Sequence, residues 1–171
     1  METKIKASLC IGSYLDTLGY KDGIWEFNFG MNENKDNIPS LQKLVFLMFE
    51  INHNYLALGG ENIDISSWNA SDDTILMIAT RDAVLKGGTL KNYSNEYLKI
   101  YPELKKKIRG AGISTLNSLN LLKNNKKNKY DKSMGGNGAA IRTAYIGLKY
   151  HKEDELNKLI EESIMSSRIT H

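Results

Sequence analysis

The sequence has 171 residues, 41% apolar and 25% charged, enough for one domain with a real core and ordinary for a globular chain. Lys and Arg number 23 against 20 Asp and Glu, a net charge of +3 that is too small an excess to argue for a nucleic-acid partner. A single cysteine excludes an internal disulfide, and Cys10, between Leu9 and Ile11, reads as a core residue in a reducing compartment. Met1 to Lys6 lacks a long apolar run, and Ser13, Asp16 and Thr17 interrupt the stretch after it. Neither a secretory signal nor a membrane span is expected, and a cytoplasmic or otherwise intracellular location is the default.

The first helix is expected from Lys4 to Leu18, with Ile5, Leu9, Cys10, Ile11, Tyr14, Leu15 and Leu18 as its apolar surface and Gly19 as its stop. Asp16 falls near the negative end of that helix, where a carboxylate is disfavoured, so it needs a specific partner. Trp25, Phe27 and Phe29 then alternate with Glu26 and Asn28, the pattern of an extended segment. Glu26 is either a solvated side chain on a short edge strand or a group facing away from aromatic anchors. Pro39 and Ser40 open a second helical stretch, Leu41 to Ile51, and His53 beyond it reads as a surface residue. Gly59-Gly60 and the polar residues up to Ala70 form a loop.

That loop leads through Trp68 into Ser71-Asp72-Asp73-Thr74 and a segment, Ile75 to Leu85, that is apolar on nearly every side. Such a helix belongs inside a bundle. Its two opening acids have two readings: Ser71 is an N-cap and the acids complement the positive helix end, or Ser71, Asp72 and Asp73 are hard oxygen ligands for a divalent cation. Lys86-Gly87-Gly88 ends the helix. Tyr93, Tyr97, Leu98 and Tyr101 mark another over residues 90–101, interrupted by Pro102. The basic run Lys105 to Arg109 reads as a solvated helix end, and Ile113, Leu116, Leu119 and Leu122 mark the next helix.

The Lys/Asn-rich stretch from Lys123 to Lys132 is linker-like, and Ser133, Met134, Gly135, Gly136, Asn137 and Gly138 follow, before a helix from Ala139 to Tyr150. Backbone N–H groups there could face an anion, or the small residues could permit close helix packing. The pattern is neither a Walker loop nor a dinucleotide fingerprint. A last amphipathic helix begins near Glu153, with Leu156, Leu159, Ile160 and Ile164 as its stripe. No repeat is visible and strand patterns are almost absent, so the expected fold class is all-α.

Four pieces in this order resemble the ADP-ribosylglycohydrolase family. Asp16-Thr17-Leu18-Gly19-Tyr20 is similar to the family's Gly-Asp-Ala-Leu-Gly-Tyr stretch, with Leu15 in place of the glycine. Gly23-Ile24-Trp25-Glu26-Phe27 resembles the Gly-x-Trp-Glu-Phe of its arginine-specific branch. Trp68 with Ser71-Asp72-Asp73-Thr74 resembles its first metal motif. Gly136 to Arg142, with Ile146-Gly147-Leu148, resembles its ADP-ribose loop, and Thr170-His171 matches a Thr-His pair beyond it. The resemblance implies an all-α orthogonal multi-helix bundle and a magnesium-dependent hydrolase that removes ADP-ribose from modified side chains. It implies Ser71, Asp72 and Asp73 as magnesium ligands and Glu26 as the group that helps activate water. It also implies Lys132, Ser133, Met134, Gly135, Gly136, Asn137 and Gly138 as the cradle for diphosphate and ribose, with His171 lining the pocket.

Family members are longer, and the resemblance implies a second acidic cluster of the Gly-Asp-x-Asp-Ser/Thr type that does not follow residue 74 here. The expectation is therefore a single domain, 1–171, equivalent to the N-terminal half of the family fold, with apolar helix faces left for a completing chain. Three readings follow: an ADP-ribosylarginine hydrolase completed by another chain, an inactive remnant that binds ADP-ribose, and a helical interaction module.

Overall fold

The computed structural model describes residues 2–25, 41–126 and 136–171, with the backbone alone at 41–44 and 47. These residues are helical throughout, as expected: α1 (Glu2–Tyr20), α2 (Leu41–Ala57), α3 (Asp72–Leu85), α4 (Leu90–Leu104), α5 (Ile113–Lys123), the short α6 (Gly138–Ile141) and α7 (Ala144–Lys149), and α8 (Leu156–Ser167). Among them there is no strand, and no helix is long and apolar enough to cross a membrane. Glu26, Phe27, Phe29, the Pro39-Ser40 start and residues 127–135, with Lys132, Ser133, Met134 and Gly135, lie outside the described residues.

Helix α3 is the hub. It packs against α4, α7, α1 and α6, while α4 reaches on to α5 and α8. Its Leu76, Ala79, Ala83 and Val84 meet Tyr93, Tyr97, Tyr101 and Leu104 of α4, with Leu119, Ile146, Tyr150 and Ile169 closing the core. Spacing of four places the three α4 tyrosines on one face. Each brings a large apolar ring whose hydroxyl needs a partner once buried. Thr80 Oγ1 donates to the Leu76 carbonyl at 2.8 Å, so the Tyr97 hydroxyl donates to Thr80 at 2.7 Å and accepts from Ser166 Oγ at 2.7 Å. Tyr93 donates to Glu162 Oε2 at 2.7 Å, and Tyr150 to the other oxygen of the same carboxylate. Burial and the bond to Glu162 push the Tyr150 phenol up to about 12. Gly88 (φ +63°) runs close past this carboxylate: a Cβ there would stand 2.4 Å from Glu162, so a side chain in this turn between α3 and α4 would be strained and would push the carboxylate off Tyr93 and Tyr150.

Several sequence expectations shift. Helix α1 passes through Gly19 because Tyr20 is buried and its hydroxyl donates to the Ile108 carbonyl at 3.0 Å. Helix α4 continues past Pro102 because Tyr101 and Leu104 are anchored in the core, which outweighs the single backbone bond lost in its last turn. Helix α2 extends to Ala57, so His53 lies inside it, exposed. The helix expected over 139–150 is broken into α6 and α7. Cys10 is a correction: it is exposed, because with Leu9 and Ser13 it lines an open groove between α1 and Met77, Ile78 and Arg81 of α3 that no side chain among the described residues fills. On the same helix Ile11, Tyr14 and Leu15 are exposed, as are Val45, Phe46, Met48 and Phe49 (67% accessible) of α2.

Candidate functional site

The loop entering α3 is held at four consecutive residues. Trp68 meets Trp25 edge to face, ring centroids 5.7 Å apart, with the Lys21 ammonium 4.5 Å from the Trp25 ring. The Asn69 backbone N–H donates to Asp22 Oδ1 at 2.8 Å, and its side-chain amide to the same oxygen at 3.0 Å. The Ala70 carbonyl accepts from Arg109 Nη1 at 2.8 Å, while Arg109 Nε donates to Glu103. Ser71 donates twice to Asp16, from its N–H at 3.0 Å and its hydroxyl at 2.7 Å. Thr74, one turn on, donates to Asp16 as well, at 2.7 Å.

Asp16 is thus the partnered carboxylate that its awkward place near the end of α1 required. It accepts three hydrogen bonds from the first turn of α3, where the positive helix end favours a negative charge. Its backbone neighbours gave no sign of which segment it would meet. Arg109 is the other residue whose role the sequence hid: the basic run reads as solvated, yet this guanidinium ties a distant loop.

Ser71 is the N-cap of α3, its Oγ accepting from the Asp73 N–H at 3.1 Å. With one proton given to Asp16 and one lone pair used by Asp73, its hydroxyl keeps one lone pair. Asp72 and Asp73 are half-buried side by side at the helix start. Two carboxylates and a hydroxyl are the donor types that a hard divalent cation takes, with water completing its shell. Among the described residues no group of three or more His, Cys, Asp or Glu side chains is placed to hold a metal.

The second corner joins α6 to the end of α8. His171 sits against the glycine turn: a Cβ on Gly136 would lie 3.1 Å from His171 Nε2, and one on Gly138 3.8 Å from Cε1. A side chain at Gly136 would press on the ring, whereas at Gly138 the distance is one of ordinary contact. Thr170 Oγ1 and His171 Nδ1 are 2.9 Å apart. A ring that accepts there carries its proton on Nε2. Burial, then the nearby Arg142 charge, holds the His171 imidazole below its ordinary pKa. Gly136, Gly138 and His171 are therefore brought together, with Asn137 between the two glycines, and α6 packs on the helix that Ser71, Asp72 and Asp73 begin.

An all-helical scaffold with an acidic helix start on its central helix, and a histidine folded against a glycine turn, defines the class. A model of the ADP-ribosylglycohydrolase family matches residues 9–171, and the chain belongs to that family. It is 36% identical over 183 aligned positions to ADP-ribosylhydrolase ARH1 of Dictyostelium discoideum, covering 98% of this chain and 42% of that protein. It is 34% identical to a protein of Acanthamoeba polyphaga mimivirus named "Putative ADP-ribosyl glycohydrolase L444", covering 93% and 31%. The chain spans less than half the length of either relative. No solved structure matches it significantly.

Proposed function

We propose that residues 1–171 form the N-terminal part of one ADP-ribosylglycohydrolase domain, and that its activity is hydrolysis of the N-glycosidic bond between ADP-ribose and a protein arginine. The observation that carries this reading is the set of three hydrogen bonds that Asp16 accepts from Ser71 and Thr74, which hold the corner that carries Ser71, Asp72 and Asp73.

In the reaction a water oxygen bonds to the anomeric carbon, the C–N bond to the guanidino group breaks, and the departing nitrogen takes a proton. Positive charge builds at the anomeric carbon as the bond lengthens, so nearby carboxylates stabilise the transition state. Ser71, Asp72 and Asp73 would hold Mg2+, which supplies a hard Lewis acid for ribose hydroxyls and water. Glu26 would draw a proton from the attacking water. Lys132, Ser133, Met134, Gly135, Gly136, Asn137 and Gly138 would cradle the diphosphate and ribose, with His171 beside them. ADP-ribosylated protein is the proposed partner. The remaining ligands would come from polypeptide outside these residues, and the exposed apolar sides of α1 and α2 are surfaces that such polypeptide could cover. The packing of the His171 ring against Gly136 and Gly138 serves equally a second reading, an ADP-ribose-binding remnant without turnover.

The test is release of ADP-ribose from ADP-ribosylarginine by the purified chain, with Mg2+ and with chelator. Magnesium-dependent release that Asp72→Asn/Asp73→Asn abolishes supports the first reading. Release that this double variant retains with full magnesium dependence overturns the metal assignment. ADP-ribose binding without release supports the second reading.

A further inference from the structure

Arg142 is the largest fully buried side chain of the core, at 0% exposure. It belongs to none of the roles above. Its guanidinium lies 4.9 Å from the Tyr97 ring, and Nη2 donates to the Ser166 carbonyl at 2.8 Å and the Ser167 carbonyl at 3.4 Å. Its Nε and Nη1 have no hydrogen-bond partner, and no carboxylate pairs with it among the described residues. A buried cation compensated only by a ring face and two carbonyls is a poor choice for packing. An apolar side chain of similar volume would fill the space without the desolvation penalty.

What the guanidinium does touch is specific. Ser167 O, which accepts from Nη2, also accepts from the Thr170 N–H at 3.1 Å and the His171 N–H at 2.9 Å. One carbonyl therefore anchors the turn that carries His171, and Arg142 grips it together with its neighbour. The ends of a helix leave carbonyls unsatisfied, and a cation there is favoured by the helix dipole. From the other direction, Arg142 directly follows α6, the helix that the glycine turn opens. Ser166 Oγ also bonds Tyr97, which bonds Thr80 of α3. The same short region is thus tied to the glycine turn, to the end of α8 and, through two hydroxyls, to the helix bearing Ser71, Asp72 and Asp73.

We propose that Arg142 is a positioning residue that sets the His171 ring against Gly136 and Gly138 by gripping the Ser166 and Ser167 carbonyls. It acts through the turn and touches no substrate. Its relevance to catalysis rests on the reading of the glycine turn and His171 as an ADP-ribose pocket.

The test uses the full 171-residue chain and two substitutions, Arg142→Met and Arg142→Gln. Methionine fills the cavity without charge or donors, so a purely structural role leaves the His171 ring where it is. In Arg142→Met the nuclear Overhauser contacts from the His171 ring to Gly136 and Gly138 are expected to vanish. The His171 titration midpoint is expected to rise toward the ordinary imidazole value, and ADP-ribose affinity by calorimetry to fall about ten-fold, the effect of losing one well-placed polar contact. Ring contacts that persist in a folded Arg142→Met overturn the proposal. If that variant does not fold, Arg142→Gln decides: its amide reaches one carbonyl at most, weakened ring contacts are expected, and contacts equal to wild type overturn the proposal. A wild-type chain that shows the ring contacts and binds no ADP-ribose removes the pocket reading and leaves the positioning inference standing. ADP-ribose binding together with unmoved contacts in Arg142→Met removes the inference alone.

Discussion

At the start of α3 a carboxylate from a neighbouring helix accepts from the N–H of Ser71 and from the hydroxyls of Ser71 and Thr74; at the end of α8 a guanidinium from the residue after α6 donates to two carbonyls. Both charges have the sign that the helix end favours. They differ in depth. Asp16 is half-buried, so its charge stays partly solvated and its three bonds are a net gain. Arg142 is fully buried, so its desolvation offsets much of what its bonds contribute. Asp16 should therefore matter most to stability, and Arg142 to the order of the turn it grips.

The sharpest way to break this contrast is Asp16→Ala. It leaves an N–H and two hydroxyls at the start of α3 without their acceptor, and a loss of about 3 kcal/mol is expected, below the roughly 1.5 kcal/mol per bond usual for a charged acceptor because water reaches this half-exposed corner. Urea unfolding measures it; a loss below 1 kcal/mol would show that Asp16 does not organise this corner. Tyr97→Phe acts between the two corners. It takes the donor from Thr80 and the acceptor from Ser166, both buried, and about 1–2 kcal/mol is expected by the same measurement, less than for Asp16→Ala.

The smallest effect is the pH response of His171. Folding lowers its proton affinity relative to the unfolded chain, where the ordinary value is about 6.5. Between the folded and unfolded values the unfolded chain binds more protons, so stability rises with pH. The contribution is complete above about 6.5 and is lost as pH falls below it. The urea midpoint should drop more between pH 7.5 and pH 5.5 in the wild type than in His171→Gln. Equal drops would show that the His171 ring titrates as it does when unfolded.

Much of the helical order was legible. Ser71 capping a helix with two acids behind it, and the α4 stripe of Tyr93, Tyr97 and Tyr101, follow from capping rules and a period of 3.6, which are local. The need of Asp16 for a partner was readable too, from the sign of the dipole alone. Its partner was not, because Ser71 is fifty-five residues away and nothing local encodes that contact. Cys10 shows the opposite failure. An apolar neighbourhood in sequence says that a helix has an apolar surface, and leaves open which part of it meets the core.

From sequence alone came the all-α class, the acidic cap of α3 and the ordered motifs that resemble the family, because each is carried by neighbouring residues and their chemistry. The tertiary structure decided which charges hold those motifs. Asp16, Arg109 and Arg142 act across helices, and their partners are set by how α1, α3 and α8 pack. The side of the central helix that each neighbour buries is a property of the whole core and of no single stretch.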